Sequence, residues 1–185
     1  MAKSWGETGV IETYSGEPFD VFNPDPAAVR LGDIAAGLAH TCRFGGQCQQ
    51  FYSVATHSLL VSREFDDPRR QTVGLLHDAA EAYVGDVPRP LKHRYEDFET
   101  IEQEVLDAVW AGLGIEPPTD QEWQAVMTAD DRLLSYEAAN LLADGSWAGE
   151  TPQLAYDLDS PIDEARERFR TRAETLLADL SAEDV

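Results

Sequence analysis

The chain has 185 residues, with 35 Asp+Glu against 14 Lys+Arg and a formal charge of −21, an isoelectric point near 4.3. That length suffices for one domain with a sizeable core, and 43% hydrophobic residues is ordinary for a globular protein. The charge argues against binding duplex nucleic acid, whose phosphates call for Lys and Arg.

No apolar run reaches the ~18 residues a membrane span needs, and the start MAKSWGETG has no signal-peptide core. The expectation is a cytoplasmic protein that does not engage a membrane. Lys3 and Lys92 are the lysines, and the other basic residues are arginines. A lysine-poor acidic surface suits a halophilic, high-salt cytoplasm, where salt screens self-repulsion. An acidic mesophilic protein can have the same composition. Cys42 and Cys48 form no CxxC, so they read as thiols in a reducing compartment.

Residues 1–32 read as an irregular segment with a short hairpin. Val10 to Tyr14 and Phe19 to Phe22 flank Ser15-Gly16-Glu17-Pro18, a Gly-containing turn. Asp33 is a candidate N-cap for a short helix through Ala39. Thr41 to Gln47 is a loop with an arginine, an aromatic and paired glycines. It is either a plain turn or a place where Arg43 grips an anion and Phe44 offers a stacking face for a base. A helix is expected from Phe51 to about Phe65, on Val54, Leu59, Val61 and Phe65, with His57 inside it. Asp66-Asp67-Pro68 is a tight turn, so this helix should pack antiparallel to the next.

That next helix contains the stretch around which the chain is organised, VGLLHDAAEAYVGDVPRPLK. Val73, Leu76, Ala80 and Val84 recur at helical spacing. Residues three or four apart share a helix face. A helix through His77, Asp78 and Glu81 therefore aims an imidazole and a pair of carboxylates into one region. Gly85 ends it, and Pro88 and Pro90 keep it from resuming, which leaves Asp86 and Lys92 on a rigid exit loop. A single His-Asp pair on a helix is usually surface charge or a satisfied core residue. This pair lies between Gly-Leu-Leu and Ala-Ala, and charges in apolar surroundings need partners or a metal.

Tyr95 to Leu113 reads as a helix with Ile101, Val105, Leu106, Val109 and Trp110 inward, ended by Gly112 and Gly114. After Pro117-Pro118 comes a long helix, Gln121 to Leu142, with Asp130-Asp131 at its middle. One of these aspartates lies on the apolar side and can be buried; the other faces solvent. Residues 144–160 form a polar connector, Pro161 to Leu180 a last helix, and the SAEDV tail frays. The expectation is all-α: one domain, with a helical bundle over 33–180 behind the N-terminal segment.

His57 on one helix, His77 and Asp78 on the next, and Asp130 or Asp131 on a later one make a mixed N/O set for a divalent first-row metal. Coordination positions left open for water are typical of a catalytic site. The order H…HD…D, with LLHDAAEAYVGDVPRPLK and Ala-Asp-Asp-Arg-Leu-Leu-Ser-Tyr-Glu, resembles the HD-domain phosphohydrolase superfamily over about residues 33–142. Within it, the chain is most similar to the small bacterial and phage branch of 5′-deoxynucleotidases and deoxynucleoside triphosphate triphosphohydrolases.

The resemblance implies metal ligands His57, His77, Asp78 and Asp130. It favours Asp130 over Asp131 because Glu137 follows at the family's spacing. It implies Glu81 as the carboxylate that orients the attacking water, and Asp86 near the substrate's sugar or leaving group. It implies Arg43 as a phosphate contact, with Lys92 as a further one. His40 and His93 fall in no motif, so one ion is expected: Mn, Co or Mg, or Zn, Fe or Ni as bound.

The function so implied is metal-dependent hydrolysis of a small-molecule deoxynucleotide, with a 5′-deoxynucleotidase releasing phosphate from dNMPs as the first reading. A dNTP triphosphohydrolase is the alternative. A degenerate HD regulatory module is the non-enzymatic one, and it predicts a lost ligand or a lost Glu81, neither of which is seen. The HD-GYP phosphodiesterases fit less well, because Asp78 is followed by Ala-Ala-Glu. Monophosphate is preferred because Arg43 and Lys92 are the basic residues placed near the metal; Arg89 or Arg94 could approach in the fold or from a second subunit. The resemblance leaves room for a homodimer or higher homo-oligomer.

Overall fold

Apolar residues recurring at three- and four-residue spacing produce helices along most of the chain, and the exceptions lie near its start. In the computed structural model residues 9–183 are described, and expectations placed on residues 1–8 and 184–185 lie outside them. Strand β1 (Val10–Glu12) pairs antiparallel with β2 (Pro18–Asp20), with Ile11 opposite Phe19. Phe19 is buried and stacks on Tyr83 with ring centroids 4.0 Å apart.

Asp33 does not cap a helix. Helix α1 (Leu31–His40) starts earlier, with Arg30 in the cap position, and Asp33 lies in its first turn. Its carboxylate accepts hydrogen bonds from the Ser15 backbone N–H (2.7 Å) and the Ser15 hydroxyl (2.9 Å). The residue that looked like a cap instead pins the hairpin to the bundle.

Helix α2 (Val54–Arg63) is capped by Ser53, whose side chain accepts from the Thr56 N–H. Asp67 caps α3 (Pro68–Leu76) in the same way. Ser62 donates to the Gln71 carbonyl, which ties these two helices together. A one-turn helix, α4 (Glu81–Val84), ends at Gly85, whose φ of +82° suits glycine. Another, α5 (Arg89–Lys92), occupies the expected proline loop. Helices α6 (Glu96–Gly112), α7 (Asp120–Leu141) and α8 (Ile162–Glu183) follow.

The protein is all-α apart from its hairpin and forms a single domain. Its core has a larger cluster around Ile34, Leu38, Leu75, Trp110, Phe169 and Leu176. A second cluster gathers Tyr52, Leu60, Val126, Leu133, Leu141 and Leu158. Leu158 comes from the 144–160 connector, which is therefore packed in part on α7. Among the described residues no helix is long and apolar enough to cross a membrane.

Candidate metal centre and its pocket

One expected element is broken where the chemistry lies. His77 to Ala80 form a tight turn between α3 and α4. The His77 ring donates from Nδ1 to the Gly74 carbonyl at 2.8 Å, an acceptor that a continuing helix would have used. The backbone tightens to three-residue hydrogen bonds, from Ala79 N–H to Leu76 and from Glu81 N–H to Asp78, both 2.9 Å. In such a turn residues three apart eclipse, which brings Asp78 and Glu81 to one side.

His57 is fully buried on α2, and its Nδ1 donates to Glu137 Oε1 at 2.7 Å. Both imidazoles thus commit Nδ1 to a protein acceptor. Their Nε2 atoms are buried and make no well-formed hydrogen bond among the described residues, each facing a carboxylate oxygen instead, Asp130 Oδ1 for His57 and Asp78 Oδ2 for His77. A buried polar atom without a partner is costly, and paired histidine nitrogens of this kind fit a metal. The His57 and His77 nitrogens and an Asp78 oxygen lie within 4.8 Å of one another, so these residues could hold a metal ion. Asp78 Oδ2 is 3.2 Å from His77 Nε2 and 3.7 Å from His57 Nε2.

Asp130 stands at the edge of this cluster. It is buried while its neighbour Asp131 is exposed, and its Oδ1 lies 3.1 Å from His57 Nε2. Its other oxygen accepts from Arg89 at 2.8 Å. Arg43 enters from the loop before α2, nearly buried, with Nη1 3.4 Å from Asp78 and Nε 3.1 Å from Glu137.

The electrostatics follow from this crowding. Burial opposes ionisation of Asp78 and Asp130, but the neighbouring histidines and Arg43 win and hold both carboxyls below the usual range. Burial and Arg43 push the His57 pKa down, yet Glu137 and Asp130 outweigh them and raise it to about 9. The site therefore favours positive charge. Glu81 shows the opposite trend: burial, then Asp78 and Asp86, push its carboxyl well up. Burial also raises Asp86.

A pocket of about 580 Å³ opens onto the cluster, lined by Arg43, Phe44, Asp78, Glu81, Asp86, Arg89, Lys92 and Asp130 among others. Every residue expected at the substrate side is therefore at this pocket. Lys92 has a more occupied position than expected: its Nζ donates to Glu81 at 3.0 Å and to Glu102 at 2.6 Å. Arg94 is exposed and His40 spends its Nδ1 on the Ala36 carbonyl. Glu102 and the bracing Tyr52 hydroxyl, which donates to Glu137 at 2.7 Å, went unnoticed in the sequence. No spacing rule links either to the His-Asp pair.

Against known proteins, the chain is 36% identical over 140 residues to the uncharacterized protein YfdR of Escherichia coli strain K12, across 74% of this chain and 75% of that one. The chain belongs to the family of YfdR. A second member, an uncharacterized protein of Rhodobacter capsulatus, is 31% identical and aligns with 90% of this chain and 95% of its own. No family model matches the chain. Membership in the YfdR family thus carries no activity with it, and the reading of the site rests on its chemistry.

Proposed function

We propose that this YfdR-family protein is an HD-type, metal-dependent phosphohydrolase acting on deoxynucleotides, first of all a 5′-deoxynucleotidase. The observation that carries this reading is the pair of buried Nε2 atoms of His57 and His77, facing carboxylates beside a pocket that contains Arg43 and Arg89. A divalent ion of the Mn, Co, Mg, Zn, Fe or Ni type, held by His57, His77, Asp78 and Asp130, would lower the pKa of water and neutralise phosphoryl charge.

The chain's own groups do the rest. Glu81 lines the pocket beside Asp78, and burial raises its carboxyl above the ordinary range, which makes its carboxylate a stronger base for the proton of the attacking water. The new oxygen–phosphorus bond forms as the bond from phosphorus to the 5′ oxygen breaks. Asp86 lines the same pocket and can accept from a sugar hydroxyl or protonate the departing oxygen. Arg43 offers a guanidinium to the non-bridging oxygens. Lys92 holds Glu81 in place and lends charge through it.

The triphosphate reading gains from Arg89, which adds a third basic residue beside Arg43 and Lys92. The test is product analysis on metal-reconstituted protein. Orthophosphate from dAMP supports the nucleotidase, tripolyphosphate from dATP supports the triphosphohydrolase, and hydrolysis of neither overturns both. Equal cleavage of AMP and dAMP, and of ATP and dATP, rejects deoxy selectivity.

A further inference from the structure

At the mouth of the same pocket stands an aromatic side chain that the proposed chemistry does not use. Trp147 lies in the 3₁₀ turn Ser146–Ala148, lines the pocket and is 63% exposed. Leaving an indole in water is unfavourable, and this one joins Phe44, Leu134 and Leu142 in an apolar lining of the pocket. The turn that carries Trp147 is fixed. Ser135 Oγ on α7 donates to the Ala148 carbonyl at 2.6 Å. A Cβ at Gly145 would overlap the Ala138 carbonyl, so only glycine lets the turn lie this close to α7.

Phe44 lines the same pocket and has a φ of +56°, a left-handed backbone rarely adopted by an aromatic residue. Strain of this kind is retained where the surroundings enforce it, and it gathers at ligand sites. The Arg43 guanidinium lies 5.6 Å from the Phe44 ring centroid. A ligand whose anionic end reaches Arg43 therefore brings its other end towards aromatic groups. Leu134 and Leu142 add apolar lining. A polar floor that sets Arg43, Arg89 and Lys92 among the carboxylates of Asp78, Glu81, Asp86 and Asp130, beneath aromatic and aliphatic walls, fits a phosphate ester that carries a flat heteroaromatic ring and whose charge a metal ion would help to balance.

We propose that Trp147 and Phe44 form the walls of a base-binding cleft, with Trp147 a specificity-determining residue that stacks on the nucleobase. The proposal rests on the hydrolase reading for its substrate and adds to it the part of the substrate that Trp147 reads. Stacking on a base depends on its π face and tolerates different bases, so the cleft separates nucleotides from base-free phosphate esters and distinguishes little between purine and pyrimidine.

The test compares dAMP with 2-deoxyribose 5-phosphate, which has the same phosphate and sugar but no base. Their kcat/KM values are measured on metal-loaded wild type, Trp147→Ala and Trp147→Phe, and their affinities by calorimetry on the same proteins. The wild-type preference for dAMP should fall on the order of 10-fold in Trp147→Ala, through KM, and return in Trp147→Phe. An unchanged preference in Trp147→Ala overturns the proposal, as does a wild type that treats both esters alike. If no preparation cleaves either ester, the hydrolase reading fails and calorimetry decides the cleft: tighter dAMP binding lost in Trp147→Ala upholds it, and equal affinities overturn it.

Discussion

Glu137 shows how much of the site depends on one buried side chain. It is fully buried, accepts from Tyr52 and His57, and stands 3.1 Å from Arg43 Nε. It thereby occupies Nδ1 and turns Nε2 towards Asp130 and Asp78, where a metal ion could be held. Groups bonded to a metal-binding histidine set its orientation, and their loss typically costs 10- to 100-fold in affinity. Glu137→Gln should weaken binding of Mn or Co by about that factor, measured by competition with a chelator; unchanged affinity would show that the ring is held by packing alone. Lys92 permits a second prediction at this scale. Its charge favours the ionised form of Glu81, so Lys92→Met should raise the Glu81 pKa further. The acid limb of the kcat/KM profile then moves to higher pH, and a limb that stays in place counts against Glu81 as the base. Both residues also mark what the sequence revealed. Lys92 was conspicuous in a lysine-poor chain, but its partner Glu102 on α6 was not, because tertiary pairing between helices leaves no local pattern.

At the scale of elements, α7 carries Asp130 and Glu137 to the site and depends on its first turn for registration. Thr119 and Glu122 form a reciprocal capping box there. Thr119→Ala should cost about 1 kcal/mol and lower Tm by about 2–4 °C, read by thermal melts. Arg69 holds the Glu122 pKa down at about 2, with the Thr119 bonds assisting. A carboxylate depressed in the folded state stabilises above its ordinary range, near pH 4.5, and that contribution disappears as pH falls through about 2. Glu122→Gln should therefore flatten the loss of stability in that window, and an identical acid melt would contradict it. Most helices were legible from apolar spacing, and α7 from its proline-bounded start. The turn at His77–Ala80 was not, because the side-chain bond that breaks the helix, from His77 to Gly74, is invisible to periodicity. Asp33 misled for a related reason: a residue type that caps helices also bonds distant backbone, here Ser15.

The whole molecule is acidic, and its pocket sets Arg43, Arg89 and Lys92 among the carboxylates of Asp78, Glu81, Asp86 and Asp130. With a net charge of −21, self-repulsion disfavours the compact state, and salt screens it. Tm should rise between low and molar KCl, and a flat response would remove the case for a halophilic origin. Arg43 and Arg89 bring positive charge to the pocket, where they are paired with Asp78, Glu137, Asp130 and Asp131. Composition shows the overall acidity, and the motif order points to His57, His77 and Asp78, which the fold brings together, with Asp130 beside His57. Trp147 lay outside that pattern, since only the packing of its turn on α7 carries it to the pocket. The most direct measurement of the central claim sets metal content beside dAMP turnover in wild type and Glu81→Gln after chelator treatment and reconstitution. One ion per chain in both proteins, with turnover reduced on the order of 10²–10⁴-fold in the variant alone and abolished by the chelator, is the predicted result. Full turnover in chelator, or wild-type turnover in Glu81→Gln, would contradict it.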